Sequence, residues 1–235
     1  MFRKNKDMEI DNFFTIPPGR RELEVFYLGT SGFLIRTTNQ TVLIDPGNML
    51  RSDETKALRK INLLLFTHDH LDHFSLGRTQ SIFKETAAPI LAEPKVIDKL
   101  KGKIPADKLT NAESGKTYSY GDISVTAIQG IHRGSIILFQ VRMDNLVFFH
   151  GGDSGYVTLK DYPSDIAFLP TGRMSPTASP ENAYKMAVDL KPEKIIAMHG
   201  SEKQKQQLAD RIKESMPQTA VLIVKPFTSQ ILTLK

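Results

Sequence analysis

Histidine is scarce in this chain, and half of its histidines fall in one short segment. The sequence has six histidines in 235 residues, and three of them lie within His68–His73 together with two aspartates. In an extended segment His68 and His70 point the same way and can hold one ion. Asp72 and His73 follow where the chain should turn, so they can face a second ion. Two hydrolytic metal ions typically lie about 3.5–4 Å apart. The segment therefore predicts a pair of metal sites.

The other three histidines are spread along the chain, and each lies beside a predicted strand and near a glycine. They are His132, His150 and His199. Binding residues gather where strands end and loops begin. A lone histidine beside a strand is more often only hydrogen-bonded, which is the interpretation we favour for His150 taken alone. The chain has no cysteine. Any metal must therefore be held by imidazole and carboxylate, which suit Zn, Mn, Fe, Ni or Co rather than Ca or Mg.

Hydrophobic patterning predicts elements that place these residues at strand ends. The apolar run Ile61–Phe66 fits a strand covered on both faces and leads directly into the histidine cluster. Further strands are predicted at Leu23–Leu28, Phe33–Thr37, Thr41–Ile44, Ile123–Ile128, Ile136–Val141, Leu146–Phe149, Ile166–Leu169 and Lys194–Met198, with two closing strands. Helices are predicted before Ile61, near Gly77–Thr86, at Pro94–Leu100, after Ser179 with Pro180 at its first position, and from Glu202.

The order of these elements indicates the architecture. Strands followed by β–α units, twice over, predict two mixed sheets packed together with helices outside. Residues 1–20 are expected to form an N-terminal arm. Residues 21–235 are expected to form a single domain, because no Gly/Ser-rich linker separates the halves.

Composition indicates a globular protein and excludes several other classes. Hydrophobic residues make up 40% and charged residues 24%, which is ordinary for a globular domain. The net charge of +5 favours anionic ligands without identifying a partner. The polar start lacks a signal-peptide core and the apolar runs are too short to cross a bilayer, so we expect a cytoplasmic protein without a membrane span. No basic–aromatic stripe is present, and nucleic acid is not an expected partner.

Thr67–His73 resembles the HxHxDH signature of the metallo-β-lactamase superfamily, and further segments resemble that family's motifs in the same order. They are Leu28–Ile35, Leu43–Gly47, Ile131–Ser135, Gly152–Gly155 and Ala197–Gly200. The resemblance covers residues 23 to 200. It implies an α/β fold, a four-layer αββα sandwich of two mixed β-sheets flanked by helices. It also implies an enzyme, a metal-dependent hydrolase.

The resemblance implies two divalent metal ions and seven ligands. Three ligands would hold one ion, three would hold the other, and one would bridge both: His68, His70 and His132; Asp72, His73 and His199; and Asp153. Zinc is the expected metal, with Mn, Fe, Ni or Co as alternatives. A metal-bound hydroxide would attack a carbonyl carbon or a phosphorus. Asp72 or Asp153 would act as the catalytic carboxylate that orients this nucleophile or takes up its proton.

Other residues are candidates for supporting roles. Asp45 would fix the metal loop from behind, although a plain strand-ending Asp-Pro-Gly turn is an equal alternative. Arg133 and Arg173 adjoin the candidate site and could bind a phosphate or carboxylate, with ordinary surface arginines as the alternative. His150 stands where an apolar residue, Thr or Ser commonly precedes the glycine. It is a further candidate for contact with substrate.

The expected reaction is hydrolysis of an ester, lactone or phosphodiester in a small, anionic substrate. Thr171–Met174, Ser179–Ala183 and Leu190–Pro192 resemble the branch of the ascorbate-6-phosphate lactonase-like and N-acylphosphatidylethanolamine phospholipase D-like enzymes. One alternative is a phosphodiesterase acting on phospholipid or nucleotide. Another is a di-iron redox protein, whose relatives carry Glu in place of His70 and need a flavin domain. A third is a non-catalytic metal-binding scaffold. Assembly into a homo-oligomer is left open.

Overall fold

The computed structural model describes residues 7–172 and 175–235, which form two compact units. The first unit comprises the described residues up to Asn111 with Lys225–Thr233 and Lys235. The second comprises Ala112–Val224 with Leu234. The expectation that residues 21–235 form a single domain stays a prediction.

The first unit is built on a mixed seven-stranded sheet. Its strands are β1 (Glu22–Gly29), β2 (Gly32–Arg36), β3 (Thr41–Ile44), β4 (Leu63–Phe66), β5 (Ile90–Ala92), β6 (Leu109–Asn111) and β14 (Ser229–Thr233). They pair in the order β14-β1-β2-β3-β4-β5-β6, antiparallel from β14 to β3 and parallel from β3 to β6. Its helices are α1 (Asp7–Phe13), α2 (Ser52–Ala57), α3 (Leu76–Thr86), α4 (Pro94–Leu100) and a 3₁₀ turn at Ala106–Lys108.

The second unit repeats this design. Its strands are β7 (Thr117–Tyr120), β8 (Ile123–Gln129), β9 (Ile137–Met143), β10 (Leu146–His150), β11 (Ile166–Pro170), β12 (Lys194–Met198) and β13 (Ala220–Leu222). They pair in the order β13-β12-β11-β10-β9-β8-β7, parallel from β13 to β10 and antiparallel from β10 to β7. Its helices are α5 (Pro180–Leu190) and α6 (Glu202–Ser215).

Local sequence signals account for the elements that carry the site. All four side chains of β4 are fully buried, as expected of an apolar strand covered on both faces. Helix α5 begins as predicted: the Ser179 hydroxyl accepts a hydrogen bond from Asn182 N, and Pro180 occupies the first helical position. In each sheet the carboxyl ends of the parallel strands lie at one edge, β4 among those of the first sheet and β12 among those of the second, and ligand-binding loops collect at such edges.

The N-terminal segment, expected to be an arm, contains α1. Ile10 and Phe13 of this helix are buried, and the rings of Phe13 and Phe26 lie 6.1 Å apart, edge to face. Packing against β1 fixes a helix of seven residues that is too short to be stable alone. None of the described helices has the length and apolarity that a membrane crossing requires.

Candidate metal centre

The first ligand set lies directly after β4, in the first unit. His73 N and Phe74 N both donate hydrogen bonds to His70 O, at 3.0 and 2.8 Å, so the chain makes one tight turn here. This turn brings the ring of His73 back to within 4.1 Å of the ring of His68, between centroids. The rings of His68 and His70 are 4.5 Å apart. Asp72 Oδ2 lies 3.6 Å from His73 Nε2. The predicted ligands of this segment therefore form one cluster.

Asp45, at the end of β3, holds this cluster from behind. Its carboxylate accepts hydrogen bonds from Thr67 N at 2.8 Å and from Thr67 Oγ1 at 2.6 Å. Its Oδ2 also lies 2.8 Å from His73 Nδ1, and Asp45 and His73 are both fully buried. A carboxylate at this distance places the proton on Nδ1, which makes Nε2 the ligand atom.

The Thr67 hydroxyl serves a second histidine in the same way. Thr67 Oγ1 donates to Asp45, and its oxygen lies 3.0 Å from His68 Nδ1. The oxygen can accept the Nδ1 proton of His68, so Nε2 becomes the ligand atom here too.

Gly47 allows the turn that follows Asp45 to lie close to the backbone of Asp72 and His73. Gly47 N donates a hydrogen bond to His73 O at 2.9 Å. Its φ is +50°, and a Cβ added there would lie 2.5 Å from Asp72 O, well inside a normal contact. Only glycine fits this position without a shift of the loop.

Asp69, the remaining acid of the motif, points to a different partner. Its carboxylate accepts a hydrogen bond from Lys99 Nζ at 2.6 Å. This hydrogen bond holds the pKa of Asp69 below its ordinary value, against a smaller opposing effect of burial. Asp69 is thus engaged with α4, whereas Asp72 lies beside His73.

The second ligand set lies in the second unit and is arranged around Asp153. Asp153 Oδ2 is 3.5 Å from His132 Nε2 and 3.7 Å from His199 Nε2. Asp153 is 2% and His199 3% exposed, so a charged carboxylate there must be compensated by a cation or by hydrogen bonds. His199 directly follows β12 with a φ of +43°, and this left-handed backbone is uncommon for a non-glycine residue. Such conformations cluster at functional sites.

Both histidines of this set are oriented through Nδ1. His199 Nδ1 lies 3.0 Å from Gly172 O, and His132 Nδ1 lies 3.1 Å from Thr177 Oγ1. A carbonyl oxygen only accepts, so His199 carries its proton on Nδ1. Thr177 also donates to Asp153 O at 3.3 Å, and Ser175 Oγ donates to the same oxygen at 2.6 Å. These two hydroxyls fix the turn that carries Asp153.

The chemistry of the donor sets fits divalent metal ions. Four of the five candidate ligand histidines have Nδ1 within hydrogen-bond distance of an oxygen: His68, His73, His132 and His199. Metal-binding histidines almost always donate their other ring N–H to a carboxylate, carbonyl or hydroxyl in this way. The residues present therefore suit a metal centre of imidazole and carboxylate.

The three candidate substrate residues differ in placement. Arg133 is exposed in the loop after β8. His150 is fully buried at the end of β10, where its Nδ1 accepts a hydrogen bond from Gly152 N at 3.2 Å. Arg173 lies outside the described residues. Their contact with substrate stays a prediction.

Apart from Asp45, no role was predicted from the sequence for the groups that orient the histidines. Thr67 stands inside the recognised motif, but nothing in the motif says that its hydroxyl joins Asp45 to His68. Thr177 is 45 positions away from His132, and hydroxyl residues are common in loops. The sequence therefore carried a usable signal for Thr67 only, as the residue that ends β4 beside Asp45.

Comparisons with known proteins agree with this geometry. A sequence model of the beta-lactamase superfamily domain matches residues 24–199. A protein from Pyrobaculum calidifontis named UPF0173 metal-dependent hydrolase is 28% identical over 191 residues, which cover 75% of this chain and 84% of that protein.

Two solved structures show the fold. A metallo hydrolase from Ignicoccus hospitalis matches with a TM-score of 0.77 and 19% identity, over 91% of this chain and 100% of that chain. A diiron β-hydroxylase from Streptomyces venezuelae matches with a TM-score of 0.70 and 14% identity, over 93% of this chain and 55% of that chain. Since proteins of different chemistry share it, the fold alone does not select the metal or the reaction.

The predicted fold class, two mixed β-sheets flanked by helices, is confirmed. The branch suggested by the sequence motifs stays a prediction. The family match spans most of the chain and ends on His199, so the chain belongs to the metallo-β-lactamase superfamily.

Proposed function

We propose that the two ligand sets act together on a pair of divalent metal ions, and that this protein is a metal-dependent hydrolase of a small anionic ester, lactone or phosphodiester. The observation that carries the proposal is the orientation of the histidines, four of which have Nδ1 engaged by an oxygen. Each of these contacts restricts the rotation of one imidazole ring and leaves its Nε2 as the ligand atom. Metal binding through Nε2 explains all four contacts together.

The ligands of the two ions follow the family pattern. One ion would be held by His68, His70 and His132 and the other by Asp72, His73 and His199, and Asp153 would be shared between them. Within the second unit, Asp153 Oδ2 lies at similar distances from the two histidine Nε2 atoms, 3.5 and 3.7 Å, which supports a bridging role. Zinc is the metal we propose, because His and Asp ligands without thiolate accept it readily. Divalent ions so placed supply an activated water and polarise the substrate oxygen.

The protein side chains supply position and proton transfer. Hydrogen bonds from Ser175 and Thr177 to the backbone carbonyl of Asp153 fix the turn that presents its carboxylate. Asp72 is less enclosed, with a side chain 27% exposed, and is the better placed to exchange a proton with solvent. Arg133 and the net charge of +5 favour an anionic substrate.

Within the superfamily, we propose the branch of the ascorbate-6-phosphate lactonase-like and N-acylphosphatidylethanolamine phospholipase D-like hydrolases. The supporting residues are those around Gly172 and the start of α5. Gly172 O accepts from His199, and Ser179 caps α5, so the segment that resembles this branch also orients one of the proposed ligands.

The test combines metal analysis with a substrate panel. The purified protein is analysed for bound metals and assayed on a lactone series, an aryl ester and bis-p-nitrophenyl phosphate, before and after treatment with EDTA. Asp153→Asn is compared with Asp122→Asn, an exposed acid in the turn between β7 and β8. We expect two metal ions per chain, hydrolysis that EDTA abolishes and readded metal restores, and loss of activity only in the Asp153 variant.

The panel also separates the alternatives. Activity confined to bis-p-nitrophenyl phosphate would identify a phosphodiesterase. Bound metal without EDTA-sensitive hydrolysis of any substrate would favour a metal-binding scaffold and overturn the proposal.

A further inference from the structure

A basic cavity lies in the first unit between α2 and α3, and none of the proposed metal ligands lines it. Its volume is about 220 Å³. Three cationic side chains line it, Lys56, Arg78 and Lys84, against one acid, Glu85. The surplus of positive charge makes it attractive to an anion.

Two of these cations, Lys56 and Lys84, differ from several surface lysines in having no carboxylate partner among the described residues. Lys99, Lys101 and Lys116 are each paired with a carboxylate, at 2.6, 2.6 and 2.7 Å. Within the part of the chain that the structure describes, Lys56 and Lys84 form no ion pair. Their charges are therefore not neutralised by a neighbouring carboxylate and are available to a ligand.

Arg78 is held across the cavity. Its Nη1 donates a hydrogen bond to Thr55 Oγ1 at 3.2 Å, and Thr55 Oγ1 in turn donates to Arg51 O at 2.8 Å. Thr55 is 2% exposed, so this anchor is rigid. The Nε atom of Arg78 is buried, and no hydrogen-bond partner for it exists among residues 7–172 and 175–235. A buried guanidinium N–H without an acceptor costs free energy, which an anion oxygen would recover.

We propose that this cavity binds a phosphate group, either as inorganic phosphate or as the phosphate of a small ester. The Ser52 hydroxyl adds a donor to the cationic lining, whereas the Ser81 hydroxyl already donates to Gly77 O at 2.9 Å. A tetrahedral phosphate accepts from several donors at once. The cavity is smaller than the roughly 300–1,000 Å³ of sites that enclose a drug-sized ligand. It therefore takes the phosphate and leaves the rest of an ester in solvent.

The experiment is calorimetric titration of the metal-loaded protein with inorganic phosphate at constant ionic strength. Arg78→Gln should weaken binding by about tenfold or more, because a charge-assisted hydrogen bond is lost. Glu85→Gln should tighten binding, because an opposing charge is removed. Lys60→Gln removes an exposed cation of the same unit that does not line the cavity, and it should leave the affinity unchanged.

A second pair of measurements keeps the proposal testable. Lys84 is exposed, so Lys84→Gln should fold normally, and it should also weaken phosphate binding. This variant therefore tests the proposal even if Arg78→Gln is unstable. Repeating the titration with glycerol 3-phosphate tells whether the free ion or a phosphate ester binds better. Absence of phosphate binding, or equal affinity in the wild type and in both the Arg78 and Lys84 variants, would overturn the proposal, since phosphate would then be held elsewhere.

Discussion

The carboxylate of Asp45 lies 2.8 Å from Nδ1 of His73, and both side chains are completely buried. Asp45 directly follows β3, whereas His73 lies seven residues after the end of β4. Parallel pairing of these strands therefore brings Asp45 close to His73, and the Asp45 carboxylate orients the imidazole ring. The same carboxylate also accepts from Thr67 N and Oγ1. The resemblance to the family predicted a supporting role for Asp45, and its contacts explain why an acid is needed at this position.

We expect Asp45→Asn to weaken metal binding by about 10- to 100-fold, because the amide no longer fixes the Nδ1 proton of His73. Competition with a chromophoric chelator measures the affinity. Asp107→Asn, an exposed acid in the 3₁₀ turn of the same unit, is the matched control and should bind metal normally. Equal affinities in the two variants would show that Asp45 only closes a turn.

Gly47 and Gly77 form a matched pair for testing the close approach of the turn to the ligand loop. Gly47→Ala forces a Cβ to within 2.5 Å of Asp72 O at a φ of +50°. We expect it to lower the free energy of unfolding by about 2–4 kcal/mol. Gly77 lies in α3 with nothing within 4 Å of its added Cβ. Gly77→Ala should therefore be neutral or stabilising by up to about 1 kcal/mol. Urea denaturation measures the free energy of unfolding of both variants. Similar decreases in the two would contradict the argument.

The elements that sequence predicted are those whose apolar pattern is long enough to read. β12 and α4 match their expected bounds, because β12 is a short apolar run and α4 begins with Pro94 at its first turn. β5 has only three residues, and β7 reads Thr-Tyr-Ser-Tyr, four residues without an aliphatic side chain, so neither gives a long apolar pattern. α1 depends on burial of Ile10 and Phe13 against the core, which is a tertiary contact invisible to local propensity.

The candidate site divides in the same way. The residues His68–His73 are contiguous and follow a buried strand, so their clustering could be predicted from spacing. The orientation of His132 depends on Thr177, which lies in the loop between β11 and α5. The two residues become neighbours only in the folded chain. No pattern of residue types reports a hydroxyl contact across 45 positions.

Thr177→Val tests that contact with little change in side-chain volume. The variant loses the oxygen 3.1 Å from His132 Nδ1 and the hydrogen bond to Asp153 O. We expect metal affinity to fall by about tenfold, because both partners of Thr177 are proposed ligands. Thr126→Val, which breaks a hydroxyl pair with Thr117 on exposed strands, should leave the affinity unchanged. Chelator competition again gives the result, and an unaltered affinity in the Thr177 variant would remove it from the site.

Tyr156 links the loop after Asp153 to α5 and gives stability a pH dependence. Its hydroxyl donates a hydrogen bond to Asp189 at 2.9 Å, and this bond, with a smaller effect of burial, raises the pKa of Tyr156. A pKa raised by folding gives stability that is complete below the unfolded value, about 10 for tyrosine, and is lost as pH rises through the folded value. The wild type should exceed Tyr156→Phe by about 1 kcal/mol near neutral pH.

This advantage should shrink as the pH rises above about 10, where the unfolded tyrosine loses its proton first. Urea denaturation of the wild type and Tyr156→Phe over a pH series measures it. Tyr162→Phe is the control, because the structure gives the Tyr162 hydroxyl no hydrogen-bond partner among the described residues, and it should cost less stability near neutral pH than Tyr156→Phe does. A gap between wild type and Tyr156→Phe that widens in alkali would contradict the argument, because it would mean that folding lowers the pKa of Tyr156 instead of raising it.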